Sequence, residues 1–188
     1  MQHVMIDLET MGKGSNAPVV GIGAVFFNPE TGAMGKEFQR YITLESAVNW
    51  GGVMDASTII WWLKQSEAAR KPIIGASFDL CEVLGDLNTF IERNTEAQDP
   101  RDTKLWGNGI AGDCVWIRNA YERAGMDFIC GWWSDCDVRT LVELGRAVGF
   151  NPKATIPFEG EPHKPLDDAK HQVRYVSAIW QHMVGVNQ

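Results

Sequence analysis

MIDLET, residues 5–10, sets two carboxylates, Asp7 and Glu9, inside what otherwise reads as a buried first strand. Val4, Ile6 and Leu8 alternate with His3, Met5 and Asp7, the period of two expected of a strand. Charges in a strand interior are costly unless something positive lies between them. Side chains two apart on a strand project from one face, and a rise of ~3.3 Å per residue separates their Cα atoms by ~6.6 Å. Their oxygens can then converge on one hard cation, at ~2.0–2.1 Å for Mg2+. A DxE pair alone is a weak signal, because two acids near a strand end can equally meet solvent. Its reading depends on whether the chain supplies more acids, and a base, for the same spot.

Outward from this strand, residues 18–27, PVVGIGAVFF, read as a second strand closed by Asn28-Pro29, and residues 36–43 as a third. Short connections predict an antiparallel meander. The pattern then turns helical. Ser57 or Thr58 is placed to cap a short helix through Gln65, and residues 79–93 carry Leu80, Leu84, Leu87 and Ile91 at helical spacing. Residues 103–106 read as a short central strand, 112–124 as a helix stopped by Gly125, and 137–148 as another stopped by Gly149. Residues 150–164 read as a loop, and a last helix runs from Pro165, a favoured first helical position, to about His182. Three strands followed by helices and at least one more strand predict an α/β fold, a mixed central sheet flanked by helices. With no repeat or linker, one domain over residues 1–188 is expected.

Composition narrows the partners. A net charge of −7 disfavours a protein that coats long stretches of nucleic acid, yet it allows one that grips only a chain end. No apolar run approaches the ~18 residues of a membrane span, and the N-terminus lacks the pattern of a secretory signal, so a cytoplasmic protein is expected. Cys81, Cys114, Cys130 and Cys136 form no CxxC pair. They read as free thiols, and sequence alone leaves a pairing between two of them open.

Two further stretches supply acids. In the last helix Leu166, Ala169, Val173, Val176 and Trp180 form an apolar stripe, with Lys170, His171, Arg174 and Gln181 opposite. At ~100° per residue Asp168 falls at the stripe's border and Asp167 toward solvent, so Asp168 is the candidate ligand and Asp167 an acid favoured by the helix dipole. His163 stands on the loop just before, placed to swing over a substrate near Asp168. In WGNGIAGDCVW, residues 106–116, Asp113 begins a helix after a strand and a glycine-rich turn, where Gly107, Gly109 and Gly112 let backbone approach a ligand. Each acid taken alone has a plain reading as a cap or a dipole partner, and His163 as an exposed loop residue.

Taken together, Asp7-x-Glu9, Asp113 in WGNGIAGD and His163-x4-Asp168 in HKPLDD resemble, in order and separation, the motifs of the DEDDh 3′–5′ exonucleases, a branch of the ribonuclease H-like superfamily. STIIWWLKQSEAAR at 57–70 and WGNG before Asp113 resemble more closely the phage exonuclease A and mycobacterial exoribonuclease type. One departure is Gly112, where a bulky residue is usual in the family, which implies a wider site. The resemblance implies a ribonuclease H-like fold and two divalent ions, Mg2+ or Mn2+. Asp7 would bridge the ions, Glu9 and Asp168 would complete the first set, Asp113 would support the second, and His163 would take a proton from the attacking water. It also implies a terminal-nucleotide pocket in which Trp61 or Trp62 meets the base, Met11 wedges beside it and the backbone near Thr10 contacts the 3′-hydroxyl. Dimers among such enzymes make a homodimer an expectation.

The function expected is therefore a metal-dependent exonuclease releasing nucleoside 5′-monophosphates from single-stranded nucleic acid 3′ ends, DNA favoured by the phage likeness. The alternatives are an exoribonuclease, a non-catalytic module that binds nucleic-acid ends, and a small-molecule phosphoesterase.

Overall fold

The computed structural model describes residues 1–185. A five-stranded sheet runs in the order β3-β2-β1-β4-β5, with β1 (His3–Thr10) at its centre. β2 (Val19–Phe27) and β3 (Met34–Tyr41) pair antiparallel beside it, and β4 (Lys104–Gly107) and β5 (Asp135–Asp137) pair parallel on the other side. The sheet is mixed, as the element order predicts.

Helices cover both faces, which is why β1 is apolar on each. Val4, Ile6 and Leu8 pack with α4 (Leu80–Asn94) and α5 (Val115–Arg123) through Leu84, Leu87, Ile117 and Tyr121. Met5, on the opposite face, packs with α6 (Val138–Ala147) and α7 (Pro165–Val184) through Val142, Ala169, Val173 and Val176. Asp7 and Glu9 continue the Met5 face, so the alternation that buries β1 also aims both acids at α7.

One glycine of β2 allows α7 to come that close. Gly23 pairs with Asp7 and Gly21 with Glu9 across the sheet. A Cβ at Gly23 would lie 2.2 Å from the carbonyl carbon of Pro165, so the start of α7 rests directly on the backbone of β2. The sequence reads PVVGIGAVFF as a strand without explaining its glycines; contact with α7 explains Gly23.

Four short elements depart from the expectation, among them β5, whose three residues are too few to show alternation in sequence. α1 (Leu44–Asn49), capped by Thr43, and α3 (Glu67–Ile74), capped by Ser66, are too short to show helical periodicity in sequence. α2 (Ala56–Leu63) is capped by Asp55, whose carboxylate accepts from the Thr58 N–H, and not by Ser57 or Thr58. The 150–164 loop carries one 3-10 turn at Pro152–Ala154. All four cysteines are free thiols. Among the described residues, no helix is long and apolar enough to cross a membrane.

Candidate active site

The acids of β1 meet Asp113 at the carboxyl ends of β1 and β4. Asp113 lies in a π-type turn, Ile110–Cys114, that leads into α5. Its Oδ1 accepts the Leu8 N–H at 3.2 Å and its Oδ2 the Asn108 N–H at 2.8 Å. Gly107 makes this possible, since a Cβ there would stand 3.0 Å from that of Asp113. The glycine expected to approach a ligand thus makes room for a site carboxylate instead. Gly112 leaves open the space in front of the Trp116 ring.

The fourth acid comes from the first turn of α7. Asp168 Oδ2 accepts the His163 backbone N–H at 2.7 Å. His163 has φ 66°, the only positive value outside glycine among the described residues, and this turn folds its ring back over the acids. Asp167 does not point to solvent as the helical phase suggests. It is half-buried and accepts the Glu161 N–H at 3.0 Å, fastening the loop to α7. Across the loop, Ser66 Oγ donates to Glu161 Oε1 at 2.5 Å and Arg174 pairs with Glu159 at 2.6 Å.

Ligand atoms of Glu9, His163 and Asp168 all lie within 4.8 Å of one another. Asp7 stands beside them, held by a residue the sequence did not flag: Gln172 Nε2 donates to Asp7 Oδ1 at 2.7 Å. Gln172 is buried, one helical turn beyond Asp168 and within the stripe of Ala169, Val173 and Val176. A buried amide among apolar neighbours was its available signal.

The tryptophan pair divides. Trp62 is buried, its indole donating to the Thr10 carbonyl at 2.9 Å, while Thr10 Oγ1 donates to the Gly12 carbonyl. Met11 is buried with Trp62, Val20 and Ala69, so it supports β1's end from beneath. Trp61 is 41% exposed and meets the His163 ring edge-on at 4.8 Å. A hollow of about 440 Å3 opens beside it, walled by Lys13, Ser57, Thr58 and Trp61. On the other side of α2 a separate apolar cavity of about 430 Å3 has Met11, Trp62, Arg70 and Ile73 in its wall.

Charge is the defining property of the cluster. Burial, then Asp113, Glu9 and Asp168, hold the Asp7 carboxyl far above the usual carboxylate range. Burial followed by Asp168 and Asp113 does the same to Glu9. Burial raises Asp113 to about 6 against two backbone N–H donors and the nearby Arg139 guanidinium, and raises Asp168 against the His163 N–H. Among the described residues no lysine or arginine forms an ion pair with any of the four, although Lys13, Lys170 and Arg174 pair with other acids nearby. Two unit charges 4 Å apart interact by roughly 4 kcal/mol at an effective dielectric of ~20. Four carboxylates gathered without an ion-paired lysine or arginine, two of them with ligand atoms beside His163, fit a hard divalent cation.

A sequence model of the 3′-5′ exoribonuclease Rv2179c-like domain matches residues 2–180. The chain belongs to this family. An exodeoxyribonuclease of Enterobacteria phage T4 is 26% identical to this Rv2179c-like chain over 165 residues, 76% of the chain and 71% of the phage protein. Among solved structures, the nuclease domain of 3′hExo, a DEDDh family member bound to rAMP, superposes with a TM-score of 0.64 at 14% identity, covering 98% of this chain and 92% of that one. Pop2p of S. pombe, in a Mg2+- and Mn2+-bound form, gives 0.66 at 14% over 99% and 85%. E. coli Exonuclease I in complex with a dT13 oligonucleotide gives 0.65 at 11%, with 97% of this chain covering 42% of that one. The Rv2179c-like chain thus has the ribonuclease H-like fold of the DEDDh exonucleases and is a 3′–5′ exonuclease by family.

Proposed function

We propose that this Rv2179c-like exonuclease degrades single strands from the 3′ end with two divalent ions, Mg2+ or Mn2+, releasing nucleoside 5′-monophosphates. The observation that carries this reading is the gathering of Glu9 and Asp168 around His163, with Asp113 close enough to push the Asp7 carboxyl up and, among the described residues, no lysine or arginine in an ion pair with any of the four acids. Asp7, Glu9 and Asp168 would hold one ion, and Asp7 with Asp113 the other. Ions so held would offset the charge of the phosphodiester and stabilise the leaving 3′ oxygen.

The chain's own groups do the rest. His163, turned inward by its left-handed backbone, takes a proton from the attacking water. Trp61 offers an exposed face to the terminal base, and stacking of this kind tolerates any base. Trp62 and Met11 contribute by fixing the end of β1, where the Thr10 backbone meets the terminal 3′-hydroxyl.

DNA is the favoured substrate, supported by the phage exodeoxyribonuclease. RNA is the second reading, supported by the family's own description. The enzyme acts in the cytoplasm, a reducing compartment in keeping with four free thiols. Pairing of two chains is part of the reading, and sedimentation tests it.

The test of function uses 5′-labelled DNA and RNA strands of one sequence with Mg2+ or Mn2+. A ladder shortening from the 3′ end and reduced at least 1,000-fold in Asp7→Asn supports the reading, and the faster strand names the substrate. Intact strands in the presence of bound metal contradict it.

A further inference from the structure

A strand that brings its 3′ end to four carboxylates also brings the phosphates behind it into a protein of net charge −7. Something on the strand's path must offset that repulsion, and three cations around the acids are already engaged. Lys13 pairs with Asp55 at 3.6 Å, Lys170 with Glu37 at 2.8 Å and Arg174 with Glu159 at 2.6 Å. Arg139 and Lys153 form no ion pair among the described residues, and both are exposed.

Their placement is built by the fold. Asp137 caps α6 by accepting from the Arg139 and Thr140 N–H groups, and the same carboxylate accepts the Ile110 N–H at 3.3 Å. The start of α6 is thereby tied to the turn that delivers Asp113. Gly109, with φ +114°, lies under the Arg139 side chain: a Cβ there would be 3.0 Å from the guanidinium carbon. Lys153 projects from the Pro152–Ala154 turn, its Nζ 5.5 Å from the centre of the Tyr175 ring. Tyr175 is two turns beyond Asp168 on the same face of α7. Partial burial, then Arg146 and Arg139, push the Lys153 amine below its ordinary range. Arg139 also lies close enough to Asp113 to favour its ionised form, which sets this cationic group at the edge of the acidic site.

We infer that Arg139 and Lys153 form a cationic strip that receives the sugar–phosphate backbone of the substrate on the 5′ side of the scissile bond. The strand leaves the site across the start of α6 and the Pro152–Ala154 turn. This inference rests on the exonuclease reading and adds the strand's direction to it. The competing path crosses α2 and α3, where Arg70 also lacks an ion-pair partner but stands in the wall of the apolar cavity with Glu45.

Binding separates the two paths without depending on turnover. Fluorescently labelled dT12 is titrated at several NaCl concentrations in Ca2+ against Asp7→Asn protein, alone or combined with Arg139→Gln/Lys153→Gln or with Arg70→Gln. Circular dichroism confirms that each variant is folded. Each lost contact to a single strand lowers the slope of log K against log salt by ~0.7, so the double change should remove about 1.4 while Arg70→Gln leaves the slope intact. An unchanged slope in the double variant, a loss in Arg70→Gln instead, or no binding of dT12 at low salt overturns the inference. Failure of the exonuclease reading looks different: wild-type protein that binds dT12 through the strip and never shortens it.

Discussion

Asp7 is the residue on which the site turns, and its orientation depends on Gln172. The 2.7 Å hydrogen bond from Gln172 Nε2 fixes one oxygen of Asp7 and favours its ionised form in a pocket where burial opposes charge. Replacing Gln172 with leucine keeps the volume and removes the donor. The expected result is a 10- to 100-fold loss of activity or of apparent metal affinity, with KM for the strand little changed, as is usual for a residue that orients a ligand. Steady-state kinetics across a Mn2+ titration read this, and wild-type behaviour of Gln172→Leu would remove Gln172 from the account. The acids themselves were legible in the sequence because DxE on a strand and HxxxxD at a helix start are local patterns. Gln172 was not, because its partner lies 165 positions away and nothing local links the two. The division of labour between Trp61 and Trp62 was equally hidden, since adjacent residues on an eight-residue helix are sorted only by what packs beneath them.

At the scale of elements, the site exists because α7 can rest on bare backbone. Gly23→Ala would put a Cβ 2.2 Å from Pro165, so α7 must shift away from β2 and carry Asp168 and Gln172 with it. Overpacking of this kind costs ~1–3 kcal/mol. The expected outcome is a Tm lower by several degrees and a drop in kcat of at least tenfold, read by calorimetry and by the strand assay on the same preparation. Unchanged stability and activity would contradict the close approach. Four of the five strands, the long helices and the mixed sheet were readable from periodicity and turn residues, whereas β5, three residues long, was not. The short helices α1 and α3 were not, because fewer than three turns carry too little pattern, and the reason for Gly23 appears only when α7 is laid across it. Asp167 misled for a related reason: helical phase placed it toward solvent, but the 150–164 loop folds back and uses it as an anchor.

For the whole molecule, the account holds that this fold carries a repulsive acidic centre until divalent ions bind. Asp113 is raised to about 6 in the folded chain, and Asp7 and Glu9 are raised as well. A carboxyl raised on folding contributes stability below its unfolded value of ~4, and that contribution is lost as pH rises through the folded value. Metal-free protein should therefore lose stability from pH ~4 to about 6 through Asp113 and go on losing it as Asp7 and Glu9 ionise, and metal should restore it most where the carboxylates are ionised. An ion present at 100 times its dissociation constant adds ~2.7 kcal/mol, and each kcal/mol shifts Tm by ~2–4 °C for a chain of this size. The most direct measurement is a set of thermal melts at pH 5 and pH 8, with EDTA or saturating Mn2+, on wild type and Asp7→Asn. The expected result is a Mn2+ shift of at least ~5 °C at pH 8, a clearly smaller one at pH 5, and a metal-free Asp7→Asn protein more stable than metal-free wild type at pH 8. Melts unmoved by Mn2+ at both pH values, with no gain from Asp7→Asn, would contradict it.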